Sequence, residues 1–322
     1  MRLLTTTVLL SFACHAIAHA QSGYYNLDAG RPTRVEDASP APRYELEVQL
    51  PSLRFERVAS GVRRWRMEPK LVYGFAPFSE IEFRAPLIVV DSPEPDVPRR
   101  SGLGGVAVGA LHAFGIERRL WPAVAIAGEW IAPVGALSAP IGSYSVKGIA
   151  TKTFPIARAH VNVAYGTYSS KVNVCALPRA INIPPPPDCP VSVIPFDPPC
   201  DAIPGADAAR TLARCGASVA ARVEQQEFDV ARSVGMRWMT GFGVDHAFAL
   251  SSTLVSADVV AERFAGLFAK TDVSAEIGIR HQWTPQVILD VGIARHFVGL
   301  LQSNSVTMGA TFGIPTPRRP TP

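Results

Sequence analysis

Polar and apolar side chains alternate along most of the chain from residue 44 onward. Glu45, Glu47 and Gln49 alternate with apolar residues, and after Pro51 the phase shifts by one residue, so that Arg54 takes a polar position. Alternation with a period of two predicts β-strands that have one apolar and one polar face, and the shift predicts a β-bulge at Pro51. The pattern predicts twelve strands, over residues 44–58, 63–74, 80–90, 102–116, 122–133, 144–154, 158–168, 235–245, 251–262, 271–283, 286–297 and 304–313.

The connections between these strands alternate in length. Those near 75–79 and 284–285 are short, whereas 91–101, 133–143 and above all 169–232 are long. An even number of strands with short turns at one end and longer loops at the other is typical of bacterial outer-membrane barrels. We therefore predict an all-β fold: a single antiparallel up-and-down transmembrane β-barrel over residues 44–313, with both termini in the periplasm.

The composition agrees with a barrel and argues against several other classes of protein. The chain has 322 residues, of which 48% are hydrophobic, and its 31 Lys and Arg against 27 Asp and Glu give a formal charge of +4. A mildly positive mean hydropathy argues against a disordered chain, and the absence of a basic run argues against nucleic-acid binding. A bore of twelve strands is too wide for side chains to fill, so the apolar faces should turn outward to lipid.

The two ends of the chain differ from the strand region. Residues 1–20 have a short basic start, an apolar stretch and a small-residue site at Ala18-His19-Ala20, which together predict a secretory signal peptide cleaved after Ala20. The alternative is an uncleaved N-terminal anchor helix. Residues 21–43 are polar, contain proline and show no periodicity, which predicts a periplasmic linker. Residues 314–322 predict a disordered tail. The protein is thereby expected to be integral to the bacterial outer membrane.

The longest connection, 169–232, has a composition of its own. It holds the four cysteines that remain after signal cleavage, Cys175, Cys189, Cys200 and Cys215, together with a run of prolines. An even number of cysteines in an exported chain predicts two disulfides, of open connectivity, and the lack of a Cys-x-x-Cys pair or a nearby histidine argues against a metal site. Apolar residues at helical spacing within 207–230 predict a short helix. The barrel phase places this segment outside the cell, as a lid.

Two sets of residues are candidates for distinct environments in the barrel. Tryptophan prefers the level of the lipid headgroups, and no tryptophan falls in the middle of a predicted strand, so an interfacial girdle is predicted. Its members are Trp65, Trp121, Trp130, Trp238 and Trp283. Ionic residues on the polar faces should line the lumen and pair across neighbouring strands. The lumen candidates are Arg64, Arg66, Glu68, Glu80, Glu82, Arg84, Glu276 and Arg280.

Several segments resemble a known family. These are Ala29–Arg43, Arg64–Pro77, Ser101–Phe114 and Val146–Phe154, and they are similar to outer-membrane transporters of the phenol-degradation (MetA-pathway) family. The resemblance covers most of the mature chain except the insert 169–232. It implies a twelve-stranded barrel and passage of small apolar or aromatic compounds, with no catalytic motif. Outer-membrane barrels generally end on an aromatic strand that the barrel-assembly machinery recognises. Here Phe312 could serve as that aromatic residue, but a Pro-rich tail follows it.

These features predict a monomeric passive channel for small solutes, with lipid, a small-molecule solute and the assembly machinery as partners and with no cofactor, metal or nucleic acid. One alternative is a structural or adhesive barrel that displays the loop 169–232 to a partner. A second is an outer-membrane lipid hydrolase, for which Asp245 and His246 lie close in sequence to Ser251 and Ser252. His160, two residues before an asparagine on a polar face, is either a lumen site or a structural residue.

Overall fold

We describe the fold from a computed structural model of the chain. The structure describes residues 25–28, 31–59, 61–93, 98–172, 231–265, 270–298 and 302–315. The predicted signal peptide, the four cysteines with their disulfides, the predicted short helix and all but two residues of the predicted tail lie outside these ranges.

The described residues form strands almost throughout. Their bounds are β1 Glu45–Val58, β2 Arg63–Ala76, β3 Ser79–Arg84, β4 Leu87–Asp91, β5 Arg100–Leu103, β6 Val106–Ala113, β7 Ala123–Ala132, β8 Ser143–Thr153, β9 Arg158–Val172, β10 Ala231–Phe248, β11 Thr253–Ala265, β12 Lys270–Thr284, β13 Val287–Val298 and β14 Ser303–Pro315. A single 3-10 turn, Ala249–Ser251, follows β10. Within the described ranges, no helix is long and apolar enough to cross a membrane.

The strands close into one antiparallel barrel. Outside the segment β3 to β6, each strand pairs with its neighbours in sequence, and β1 pairs with both β2 and β14, which closes the sheet into a barrel. β3 and β4 occupy successive stretches beside β2, and β5 continues into β6, so these four segments fill two of the twelve strand positions. The prediction of twelve antiparallel strands is confirmed.

Two predicted strands need a correction, because each is interrupted. The predicted strand 80–90 breaks at Ala85–Pro86, and the predicted strand 102–116 breaks at Gly104–Gly105. Proline has no backbone N–H to give to a ladder, and Gly105 has a φ of +121°, which other residues rarely adopt. The loop-bearing end of the barrel wall therefore contains a separate β4–β5 hairpin.

The two faces of the barrel carry opposite chemistry. Large apolar side chains such as Phe242, Val259 and Ile293 are about half exposed on the outside, whereas Asp258 on the adjoining position of β11 is buried inside. The ladder shifts register between Gln49 and Ser52, which confirms the predicted bulge at Pro51 and keeps the ionic residues of β1 on the inner face. An apolar exterior around a polar interior is the arrangement that a barrel needs in lipid.

The start of β1, the end of β14 and the short connections lie together at one end of the barrel, which we call the termini end. The turns after β2, β8, β10 and β12 are there, and β7, β9 and β11 end at the opposite side, which we call the loop-bearing end. β9 runs to Val172 and β10 starts at Ala231, beyond the predicted limits, and their ladder pairs these two residues. β14 likewise runs to Pro315, two residues into the predicted tail.

Candidate functional site

The structure departs from the linker prediction for the N-terminal segment, because the described part of it lies inside the barrel. Residues 25–28 and 31–44, which we call the inserted loop, contain Val35 and Asp37, each no more than 2% exposed. A polar segment without periodicity can be buried when its backbone and charged groups find partners. Here the polar inner faces of the strands supply them, so the segment belongs to the candidate site.

The inserted loop enters and leaves the barrel at the termini end. The Asp37 N–H donates to the Leu27 carbonyl at 3.1 Å, and the Leu27 N–H donates to Asp37 Oδ2 at 3.3 Å, which closes the loop at its base. Leu27 packs there against Leu254 and Ile288, in a small apolar cluster. The loop is thus a hairpin-like excursion that reaches toward the barrel centre and returns.

Ion pairs fix the first limb of the inserted loop. Asp28 Oδ2 accepts hydrogen bonds from Arg280 Nη2 at 3.2 Å and from Gln49 Nε2 at 3.0 Å. Arg31 donates to the Leu50 carbonyl, and its guanidinium lies 3.9 Å from Asp290. A buried charge is tolerated when it is paired and hydrogen-bonded, and each of these residues meets that condition.

One carboxylate receives the tip of the inserted loop. Asp258 Oδ2 accepts the backbone N–H groups of both Arg34 and Val35 at 2.7 Å. The Arg34 side chain continues to Glu262, four residues after Asp258 on the same inward face of β11, with Nη2 2.7 Å from Oε2. The tip is therefore held by successive inward acids of one strand.

The returning limb is held by side chains of β8, β9 and β3. Asn162 accepts the Glu36 N–H at 3.0 Å and donates to the Glu36 carbonyl at 2.9 Å, so one amide side chain satisfies both backbone polar groups of this residue. The Glu36 carboxylate pairs with Lys147 at 2.7 Å. Further on, the Ala41 N–H donates to Glu80 Oε2 at 2.5 Å.

Glycines on the inner face make room for the inserted loop. A Cβ at Gly292 would lie 2.4 Å from the Pro32 carbonyl oxygen, and one at Gly278 would lie 2.4 Å from the Pro32 side chain. A Cβ at Gly241 would lie 2.7 Å from Val35. Any side chain at these positions would collide with the loop, so their small size is a condition of its insertion.

The eight lumen candidates all take part in interior contacts. Along β2 and β3, Arg66 pairs with Glu68 at 2.6 Å, Glu68 with Arg84 at 2.7 Å, and Arg84 with Glu82 at 3.5 Å. The remaining candidates lie in four further contacts: Arg64 with Glu56 at 3.2 Å, Glu80 with the Ala41 N–H, Glu276 with Arg54 at 3.1 Å, and Arg280 with Asp290 at 2.6 Å. The acceptors of the inserted loop on β9 and β11 were not among the candidates.

Beside the inserted loop, a cavity of about 390 Å³ remains within the barrel. It lies largely against the inner faces of β2, β3, β6, β7 and β8. Its lining contains eight cationic and six acidic side chains: Arg31, Arg34, Arg54, Arg66, Lys70, Arg84, Lys147, Arg237, Glu36, Glu68, Glu80, Glu82, Glu129 and Glu262. A second cavity of about 320 Å³ adjoins it and shares four of its residues.

His160 contacts two polar neighbours in the wall under the returning limb. Its Nε2 lies 2.8 Å from Asp245 Oδ2, and its Nδ1 lies 3.0 Å from Thr151 Oγ1, which in turn accepts the Ala38 N–H at 3.0 Å. His160 is fully buried. This arrangement orients Thr151 toward the inserted loop and gives His160 a structural role.

The residues of the lipid-hydrolase alternative are not brought together. Asp245 points inward and binds Arg158 and His160, whereas His246, the next residue of the same strand, points outward and its Nδ1 lies 2.5 Å from the Ile156 carbonyl. The Ser251 hydroxyl donates to the Phe248 carbonyl at 3.2 Å. Adjacent strand residues face opposite sides, so this acid and this histidine cannot form one catalytic relay.

The five tryptophans lie on the outside of the barrel, with exposed fractions from 38% to 73%. Trp65, Trp130 and Trp238 lie toward the loop-bearing end, where Trp65 packs against Phe55 and Trp238 against Tyr165 with ring centroids 4.4 Å apart. Trp121 and Trp283 lie toward the termini end. Among the described residues, no group of three or more His, Cys, Asp or Glu side chains could hold a metal ion.

Comparison with known proteins gives a fold and no family. No family model matches the chain, and no curated protein matches it either. Among solved structures, the COG4313 outer membrane channel from Pseudomonas putida F1 is similar with a TM-score of 0.54 at 8% identity, over 86% of this chain and 98% of that chain. The NanC porin matches with a TM-score of 0.47 at 11% identity, over 83% and 98%. The fold is thus one that an outer-membrane channel adopts, and membership of the MetA-pathway family stays a prediction.

Proposed function

We propose that the protein is a passive outer-membrane channel for small solutes. The observation that carries this proposal is an ionic cavity left open beside the inserted loop, inside a closed barrel whose outer face is apolar. A water-filled path lined by fixed charges lowers the cost of carrying a polar solute across lipid. The wider family resemblance adds small aromatic compounds as a class of solute.

The orientation follows from the same architecture. Short turns and both chain ends at one mouth are typical of the periplasmic side of bacterial barrels, so the loop-bearing end faces the outside. The tryptophans toward each end mark the two levels of lipid headgroups. Secretion through a cleaved signal peptide and assembly as a monomer by the barrel-assembly machinery complete this proposal.

The inserted loop limits the size of the solutes that can pass through the barrel. Its tip lies against β9 to β13 through Asp258, Asn162 and the inward glycines, so the open cross-section left for passage lies largely along β1 to β8. A cavity of this volume suits solutes of the size of a small aromatic acid or a short sugar. Macromolecules are excluded.

Reconstitution of the full mature chain in planar bilayers tests the proposal. We expect discrete single-channel steps in KCl, and swelling of liposomes loaded with the protein when small solutes are offered but not when a large dextran is offered. A correctly folded protein that gives neither current nor swelling would overturn the channel function and leave the adhesive alternative in its place.

A further inference from the structure

The second cavity lies at the loop-bearing end and has an unusual lining. We call it the outer vestibule; four arginines, Arg34, Arg54, Arg64 and Arg66, line it together with Glu56, Glu262 and His296. Arg64 and Glu56 face each other across the β1–β2 ladder near the turn that joins these strands. Among the described residues, the outer vestibule is thus the part of the interior nearest to this mouth.

Each arginine of the outer vestibule has a carboxylate partner, but the two members of each pair are not equally accessible. The Arg64 side chain is 42% exposed against 19% for Glu56, and the Arg66 side chain is 44% exposed against 16% for Glu68. Arg34 and Arg54 are likewise more than twice as exposed as the acids that they bind. The guanidinium side chain is thus the more accessible member of each pair, although Glu56 and Glu262 also line the cavity.

This asymmetry gives the outer vestibule a positive surface even where charges balance. A guanidinium has five N–H donors in a fixed fork, and one carboxylate partner leaves several of them unused. Several such groups around a cavity of about 320 Å³ attract an anion from solution, and a planar carboxylate matches the fork geometry. A neutral solute of the same shape gains none of this attraction.

We infer that the outer vestibule is a carboxylate-binding site that makes the channel selective for small organic acids. The inference rests on the proposed channel function and narrows its substrate class from small solutes to small carboxylates. The order of events is attraction of the anion at the loop-bearing mouth, exchange between neighbouring guanidinium groups, and passage into the larger cavity, which shares Arg34, Arg54 and Arg66 with the outer vestibule.

The first test is the reversal potential of single channels under a KCl gradient. We expect the wild-type channel to prefer chloride, and the double variant Arg64→Gln, Arg66→Gln to lower the chloride-to-potassium permeability ratio by about threefold, because two accessible charges are lost. Glu56→Gln should raise the ratio. The double variant Arg118→Gln, Arg119→Gln is the matched control, since it removes the same charge from an exposed connection at the termini end and should leave the ratio unchanged.

The second test needs no variant. Benzoate added at the loop-bearing side of the wild-type channel should reduce the chloride current, whereas benzamide, a neutral molecule of nearly the same shape, should not. A channel that conducts without anion preference, or that responds equally to benzoate and benzamide, would overturn the carboxylate site while leaving the channel function standing. A protein that passes no current at all would overturn both.

Discussion

At the scale of single residues, side chains on the inner face of the barrel lie opposite the groups of the inserted loop that they bind or make room for. Asn162 satisfies the backbone N–H and carbonyl of Glu36, Asp258 receives two consecutive N–H groups, and Gly292 leaves space where Pro32 passes. Each of these groups would be costly if left without its counterpart in a buried site. The interior is therefore built for an occupant and not for water alone.

Replacement of Gly292 by leucine should displace the inserted loop. The new side chain would start 2.4 Å from the Pro32 carbonyl oxygen, which belongs to backbone and cannot rotate away. We expect the single-channel conductance to roughly double, because the freed cross-section becomes available to ions. Planar-bilayer recording measures this change.

Gly128→Leu is the control for that experiment. A Cβ at Gly128 would have no atom within 4 Å, and the residue lies on the exposed face of β7, so its replacement adds the same bulk without touching the loop. Equal conductance in Gly292→Leu and wild type would show that the loop does not limit the pore.

At the scale of strands, alternation in the sequence is enough to predict the barrel, and the reason is physical. A strand between lipid and an ionic interior must alternate apolar and polar side chains. A slip of one residue in its pairing would turn every side chain to the wrong face. The bulge at Pro51 could be predicted because the apolar phase changes there. The breaks at Pro86 and Gly105 are not predicted, since apolar residues continue past Pro86 and the Gly- and Ala-rich stretch around Gly105 shows no clear alternation whose change could mark a break.

The inserted loop escaped prediction because it has no period of its own. Apart from a single bridge between Arg43 and Gly74 of β2, its backbone is bound mainly by side chains, so neither a helical nor a strand pattern marks it. A signal does exist in the chain: charged residues such as Arg31, Arg34 and Asp37 precede strands whose inward positions include several glycines. Only the fold brings those two sets together.

Deletion of Pro51 should prevent the barrel from closing. Without the extra residue, the half of β1 that contains Glu45 and Glu47 must either turn these acids to lipid or lose its register with β2 and β14. We expect no heat-modifiable folded band on SDS gels after refolding. Deletion of Pro140, in the connection between β7 and β8, removes one proline outside any ladder and should still give the folded band.

At the scale of the whole molecule, the apolar outer surface requires that the barrel be surrounded by lipid or detergent. Outward positions around the barrel carry large apolar side chains at about half exposure, among them Val163, Phe242, Val259 and Ile293. A continuous apolar belt of this kind is not stable in water. The purified protein should accordingly require detergent to remain monodisperse.

A charge placed in the middle of this belt should destabilise the protein more than one placed near its edge. Val259→Arg lies at the middle of β11 and should cost about 2–4 kcal/mol of folding free energy in lipid vesicles, because the guanidinium enters hydrocarbon. Met236→Arg, toward the loop-bearing end of β10, should cost about 0–1 kcal/mol. Denaturant titration in vesicles compares the two, and similar losses would contradict a lipid-facing exterior.

The closure of the inserted loop at Leu27 and Asp37 has a topological consequence. Since both described limbs lie at the same mouth, the tip can enter or leave a finished barrel through that mouth without any strand parting. Filling of the interior can therefore follow completion of the wall, so that closure of the barrel and obstruction of its bore can be separate steps of assembly.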